Sequence, residues 1–167
     1  ILDEASTFSL PVTAHLGLTD ALTASQLGVA AIEHLSGVPE AASPKPEKFY
    51  AEHRAGFFRG WTYFEKSWAT LDSAALARVA QTLAERKVVL IPTLVLHETF
   101  SRLDDPAILN HPDLRTIPEA QLQRWNLPEM VARAGWTAND YPAFRASRAN
   151  QDLFLREFRA AGGRIVA

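Results

Sequence analysis

Residues 11–37 have the sequence PVTAHLGLTDALTASQLGVAAIEHLSG, and this stretch decides the fold. A short β-prone run, residues 12–14, ends at His15. A second run of small and β-branched residues, 29–32, leads to His34. Each of the two predicted strands is therefore followed by a histidine.

The segment between these runs predicts a short helix. Thr19 is expected to be its N-cap, residues 20–27 its body and Gly28 its C-terminal stop. Strand, helix and strand form a βαβ unit, whose two strands lie parallel and next to each other, about 4.8 Å apart. We therefore expect His15 and His34 to meet at the carboxyl edge of the sheet, where α/β folds bind ligands.

The composition favours an ordered domain and excludes several kinds of function. The 167 residues are 47% hydrophobic, which is enough for a core, and the formal net charge of -2 offers no field for a polyanion such as nucleic acid. Because cysteine is absent, disulfides, thiolate metal ligands and cysteine nucleophiles are excluded. The strongly apolar run 88–96 is about half of what spans a bilayer and contains Pro92, so no membrane helix is expected.

Two further strands are predicted, each after a helix. An amphipathic helix, capped by Asp72 or Ser73, runs to about Arg86. The sequence VVLIPTL, residues 88–94, is typical of a strand buried on both faces. A last helix, residues 148–161, and two glycines precede RIVA, which is predicted as the beginning of a fourth strand.

Two long insertions follow the second and third strands. In residues 35–70, the aromatic residues Phe57, Trp61 and Phe64 recur at helical spacing. This stripe is predicted to dock an extra helix on the sheet, with a lid or substrate wall as the alternative. Residues 95–147 contain five prolines, several of them at the start of short helical patterns, which predicts an ordered insertion of small helices.

The alternation of strands and helices predicts an α/β fold and, more closely, a partial TIM (β/α)8 barrel, because barrels carry their long excursions after the strands. Four strands cannot close a barrel. Residues 1–167 are therefore expected to be part of a single barrel domain that is incomplete at both ends, and its partner is expected to be the remainder of the same barrel. No signal for a compartment or an oligomeric state is present.

Three blocks of the chain resemble the metal-dependent amidohydrolase superfamily, in particular its imidazolonepropionase-like and Xaa-Pro dipeptidase (prolidase)-like branch. The blocks are residues 11–37, the helix LARVAQTLAERK running into VVLIPTL, and LREFRAAGGRIVA. Their order and spacing together carry the resemblance, which covers most of the chain except the two insertions. The resemblance implies strands five to eight of a (β/α)8 barrel.

The resemblance also implies a metal site. His15 would be the strand-five ligand and His34, in the IEH element, the strand-six ligand of one or two divalent metal ions, usually zinc. No catalytic acid or base is carried over, since the strand-eight aspartate is expected beyond Ala167. The paired histidines of strand one and the strand-four ligand are expected before Ile1, so this segment alone is expected to be inactive.

Three other side chains are considered near the predicted site. His97 follows the third strand and is a possible substrate contact, although a histidine in a polar loop is expected at the surface. Tyr63 could reach a substrate carboxylate or an oxyanion from the aromatic insertion, with packing as the competing role. Glu33 is expected to point away from the barrel axis and to hold a neighbouring element. His53 and His111 receive no role.

The function implied by the resemblance is hydrolysis of a C-N bond in a small amide, cyclic amide or dipeptide-like substrate by a metal-activated water. The alternative is a non-catalytic barrel relative that binds a small ligand without a working metal site. An aspartate soon after Ala167 and an H-x-H near the true N-terminus would distinguish the first reading from the second.

Overall fold

The structure is a computed structural model that describes residues 1–166, and its architecture is mixed α/β. Four strands form one sheet with the order β1-β2-β3-β4, and every pairing is parallel. The strands are β1 (Thr13–Ala14), β2 (Ala31–Glu33), β3 (Val89–Ile91) and β4 (Arg164–Ile165). The four predicted parallel strands are thus confirmed, although each is shorter than the β-prone run that predicted it. Ala167, the last residue of the predicted RIVA strand, lies outside the described residues.

Helices fill the connections between these strands and most of the two insertions. In chain order, they are α1 (Leu2–Thr7), α2 (Ala21–Gln26), α3 (Val38–Ala42), α4 (Pro46–Ala55), α5 (Phe57–Ser67), α6 (Ser73–Glu85), α7 (Leu94–Ser101), α8 (Pro106–Leu109), α9 (Glu119–Arg124), α10 (Leu127–Ala134) and α11 (Asp140–Ala160). Short 3-10 turns cover Trp68–Thr70 and Pro112–Thr116. Within residues 1–166, no helix combines the length and the apolar character needed to cross a bilayer.

The cap of α2 lies one residue later than predicted. The carboxylate of Asp20 accepts a hydrogen bond from the Thr23 N–H at 2.9 Å, so Asp20 rather than Thr19 is the N-cap. Aspartate is the stronger N-cap because its charge also favours the positive end of the helix dipole. The cap of α6 agrees with the sequence, since Asp72 accepts a hydrogen bond from the Ala75 N–H at 2.8 Å.

One helix is longer, and one strand shorter, than the sequence predicted. The helix α11 begins at Asp140, whereas the sequence pattern predicted a start at residue 148. The apolar stripe continues backwards through Phe144 and Tyr141, both of which are buried, and Pro142 lies in the first turn, where its missing N–H costs nothing. The third strand ends at Ile91 before Pro92, and Leu94 already begins α7.

The core has two parts. The larger part packs the sheet against α6 and α11, with Ile32, Leu76 and Phe154 fully buried. The smaller part lies within the insertions and is centred on Trp61 and Trp136.

Of the aromatic stripe on α5, Trp61 and Phe64 are buried, whereas Phe57 is 68% exposed. The stripe therefore docks α5 onto the rest of the fold, as predicted, except at its first residue.

Candidate metal centre at the carboxyl edge of the sheet

His15 and His34 lie next to each other, directly after β1 and β2. Their ring centroids are 5.1 Å apart and the ring planes meet at 62°, an edge-to-face arrangement. The expectation that these two histidines meet at one edge of the sheet is confirmed. We call them the sheet-edge pair.

The parallel register brings the two histidines to neighbouring positions. Ala14 is paired with Ile32, so the register continues with His15 beside Glu33, and His34 follows one residue later. The His34 N–H donates to the Ile91 carbonyl at 2.8 Å, which continues the ladder one residue beyond β2.

Ser36 fastens the two loops that carry the pair. Its hydroxyl accepts a hydrogen bond from the Leu16 N–H at 2.8 Å and donates to the Glu33 carbonyl at 2.7 Å. A single side chain thus ties the residue after His15 to the residue before His34. Separately, Glu33 accepts a hydrogen bond from the Thr13 hydroxyl at 3.1 Å, so its carboxylate holds the neighbouring strand, as the strand alternation predicted.

The backbone after β2 is strained. His34 and Leu35 have φ values of 55° and 56°, a left-handed backbone conformation that residues with a Cβ rarely adopt. Such residues persist only where the surroundings fix them, and they are common at functional sites. Leu35 is fixed because its side chain is completely buried in the core. The turn therefore holds the His34 ring at the edge at a conformational cost.

The electrostatics at His15 favour its neutral imidazole. Although much of His15 is open to solvent, the partial burial of its ring lowers its pKa, and the positive charges of His34 and His53 lower it further against a smaller opposing effect of Glu33. The neutral imidazole is the form that binds metal ions. The Nδ1 of His34 is buried and has no hydrogen-bond partner among residues 1–166.

His53 and Glu40 extend the site, although no role was predicted for either. His53 Nε2 lies 3.3 Å from Glu40 Oε1, and Glu40 is only 2% exposed. Glu40 Oε2 has no partner among the described residues. Neither residue lies at a motif spacing. Only the packing of α3, α4 and α5 brings them together.

Gly60 on α5 makes room for His53. A Cβ at Gly60 would lie 2.2 Å from His53 Nδ1 and 2.9 Å from its Cα. Any larger residue at this position would push α4 away from α5. A glycine inside a predicted helix is the one sequence signal for this close approach.

The prediction that His97 is an exposed loop residue is wrong. His97 lies on α7 and is 3% exposed, and its Nδ1 is 2.5 Å from Glu65 Oε1. Its ring stacks on Trp61 with centroids 5.5 Å apart. We call Glu65 and His97 the helical pair. Because α7 starts directly after the third strand, His97 turns into the packing between helices instead of reaching the surface.

Tyr63, the other predicted substrate contact, packs between α4 and α5. Its ring meets Phe49 edge to face at 4.8 Å, and the Lys48 ammonium lies 5.9 Å from the ring centroid. These contacts favour the packing role for Tyr63.

Within residues 1–166, no three His, Cys, Asp or Glu side chains come together in a group that could hold a metal ion. The sheet-edge pair therefore provides two ligands at most from this part of the chain. No protein-family model, curated protein or solved structure matches the chain. An assignment of function thus depends on the side chains at this edge.

Proposed function

We propose that the chain is about half of a (β/α)8 barrel, from strand five to the opening of strand eight, of a metal-dependent hydrolase of the amidohydrolase type. It would cleave C-N bonds in small amides, cyclic amides or dipeptide-like substrates. The observation that carries this proposal is the contact between His15 and His34 at the carboxyl edge of a parallel sheet.

The fold supports the barrel part of the proposal. The four strands follow one another in the sheet in chain order, as consecutive strands of a barrel do. Both long insertions leave from the edge that carries the sheet-edge pair, and barrels build their active sites from such loops.

The donor set supports the metal part of the proposal. Imidazole nitrogens suit zinc, and a metal ion would satisfy the buried Nδ1 of His34 that has no protein partner among the described residues. A zinc ion bound there would supply a water with a pKa near about 7 and polarise a carbonyl group. The remaining ligands and the catalytic acid or base would come from the rest of the barrel.

This chain's own contribution to the reaction is positioning. Ser36 and the strained turn after β2 hold His34, and the lowered pKa of His15 favours its neutral imidazole. Both effects prepare the site before any ligand arrives, which lowers the cost of binding.

The test is the metal content of the full-length gene product by elemental analysis, in the wild type and in His15→Ala and His34→Ala. We expect near-stoichiometric zinc or a similar divalent metal in the wild type and its loss in both variants. His111→Ala is the matched control, since His111 is exposed in the second insertion and should leave the metal content unchanged.

A folded wild type that binds no metal after incubation with zinc would overturn the hydrolase proposal. It would favour the alternative of a barrel relative that binds a small ligand without catalysis. Metal that persists in both histidine variants would place the metal site elsewhere and would equally remove the role proposed for the sheet-edge pair.

A further inference from the structure

A cleft opens among the helices of the two insertions, between α5, α7, α10 and the segment that joins α9 to α10. Its volume is about 750 Å³, which falls in the range of small-molecule sites. We call it the apolar cleft. Its walls include Phe58, Leu96, Phe100, Trp125 and Met130.

The apolar cleft opens on the same side of the sheet as the sheet-edge pair, because Thr93, which lines it, follows β3 at its carboxyl end. The Ile91 carbonyl accepts a hydrogen bond from the His34 N–H at 2.8 Å and another from the Thr93 hydroxyl at 3.4 Å. One carbonyl oxygen thus joins the backbone of His34 to the backbone turn that begins the wall of the cleft. Neither histidine of the pair lines the cleft itself.

The walls of the cleft expose apolar side chains to water. Trp125 is 48% exposed and Val95 is 72% exposed, and both line the cleft. Exposed apolar surface that is concave and lies beside polar groups is typical of ligand sites.

Two guanidinium groups, those of Arg124 and Arg133, also line the cleft. Arginine side chains form ion pairs at four positions of residues 1–166, which are Arg59, Arg102, Arg145 and Arg148. Arg124 and Arg133 are thus left without an ion-pair partner in the described part of the chain. The one carboxylate in the lining, Glu129, accepts a hydrogen bond from the Asn126 side chain at 3.0 Å. An arginine fork pairs well with a carboxylate.

From these observations we propose that the apolar cleft binds a small carboxylate with a bulky apolar group, its apolar part between Phe100 and Met130 and its carboxylate at Arg124 and Arg133. If the ligand is a substrate, the inference rests on the proposed hydrolase function, and the substrates would be amides that carry both a bulky apolar group and a carboxylate. The binding of such a carboxylate, by contrast, depends on the cleft alone.

The test is calorimetric titration of the full-length gene product, kept free of metal by a chelator, with three probes. We expect 4-phenylbutanoate to bind, and 4-phenylbutanamide, which lacks the charge, and butanoate, which lacks the ring, each to bind at least about tenfold more weakly.

Variants locate the two parts of the site. The double variant Arg124→Gln with Arg133→Gln should weaken the binding of 4-phenylbutanoate by about tenfold and leave the affinity for 4-phenylbutanamide unchanged. Met130→Asp should weaken the binding of both probes that contain the ring. Arg115→Gln is the matched control, because Arg115 is an exposed arginine of the same insertion outside the cleft lining, and it should change neither.

Three outcomes would overturn the inference. They are no binding of 4-phenylbutanoate, equal binding of the carboxylate and its amide, and binding that is insensitive to both arginine substitutions in protein whose circular dichroism matches the wild type. Because these titrations are done without metal, their failure leaves the metal proposal intact. Conversely, binding that persists in His15→Ala supports the cleft even where the metal proposal fails.

Discussion

At the carboxyl edge of the sheet a histidine faces another histidine, whereas among the helices of the insertions a histidine faces a carboxylate. The sheet-edge pair sits on strained, partly open backbone, and a buried nitrogen of His34 has no protein partner among the described residues. The helical pair lies on regular helices, and both of its residues are at most 3% exposed. The same side chain therefore prepares a ligand site in one place and links helices in the other, because its neighbours differ.

The surroundings of the helical pair explain its structural role. One carboxylate oxygen of Glu65 lies 2.5 Å from His97 Nδ1, and the other lies 3.4 Å from the side-chain amide nitrogen of Gln151. The backbone carbonyl of Glu65 accepts a hydrogen bond from the Ser147 hydroxyl. These contacts join α5, α7 and α11. If the comparison is right, substitutions here should damage folding, whereas substitutions at the sheet edge should damage ligand binding and leave the fold intact.

The largest effect is expected for Glu65→Leu. It leaves His97 buried without its hydrogen-bond partner, and a buried polar group that loses its partner costs about 1–3 kcal/mol. Urea denaturation at neutral pH measures the loss. The double variant Glu65→Leu with His97→Leu should recover much of it, because two apolar side chains can replace a buried pair. A loss under about 1 kcal/mol in the single variant would place the pair outside the folding core.

The next effect is expected for Gly60→Ala, which tests the packing that brings His53 towards the sheet edge. The new methyl group would overlap His53, which costs about 1–3 kcal/mol, less the gain in helix propensity of about 1 kcal/mol. Thermal unfolding measures the difference. Gly17→Ala is a control for the added methyl group alone, since Gly17 lies in a loop and a Cβ there meets nothing within 4 Å. A net stabilisation by Gly60→Ala of about 1 kcal/mol, the helix-propensity gain alone, would show that α4 and α5 are not closely packed here.

A smaller effect is expected for Asp140→Asn, at the start of α11. Partial burial opposes ionisation of Asp140, but hydrogen bonds from Lys66 and Thr137 outweigh it, so the pKa of Asp140 is lowered. The stabilisation is present above the ordinary aspartate pKa of 3.8 and is lost as the pH falls through the lowered value. Because the pair is partly exposed, we expect a loss of about 1 kcal/mol at neutral pH.

Denaturation of the wild type and of Asp140→Asn as a function of pH measures this contribution. The gap between the two proteins should close in acid as Asp140 is protonated. If the difference in unfolding free energy stays constant with pH, the charge of the Asp140 carboxylate does not stabilise the contact between α11 and α5.

The smallest effect on stability is expected for His15→Asn in metal-free protein. The lowered pKa of His15 means that the unfolded chain binds more protons than the folded chain below the ordinary value of 6.5. This group therefore makes stability rise with pH up to that value and then level off. At a pH above 6.5 the substitution should change the free energy of unfolding by no more than about 0.5 kcal/mol.

Unfolding free energies of the two proteins across the weakly acidic range test the sign. The wild type should lose more stability than His15→Asn as the pH falls below 6.5. The opposite order would show that protonated His15 is stabilised at the sheet edge, and it would argue against a preformed neutral metal ligand.

Much of the architecture could be predicted because the signals are local. The buried run before Pro92 defines the third strand, and the Asp72 cap with its apolar stripe defines α6. The helix α11 was predicted too short, because its first turns are buried by Trp136 and by α7, and α7 lies far away in the sequence.

The candidate site could be predicted only in part, for the same reason. The positions of His15 and His34 after two strands of a βαβ unit were enough to place them together. No local pattern could show that His97 meets Glu65 across 32 residues, or that α4 brings His53 to within reach of Glu40.

By itself, the sequence determined the direction of the strands and the meeting of the sheet-edge pair, because the two strands of a βαβ unit lie parallel and usually next to each other. Only the tertiary structure decided which histidine is buried, which glutamate it meets, and that an apolar cleft lined by two arginines opens among the helices of the insertions. Those features depend on how helices far apart in the chain pack against each other, and packing depends on the shape of the whole fold.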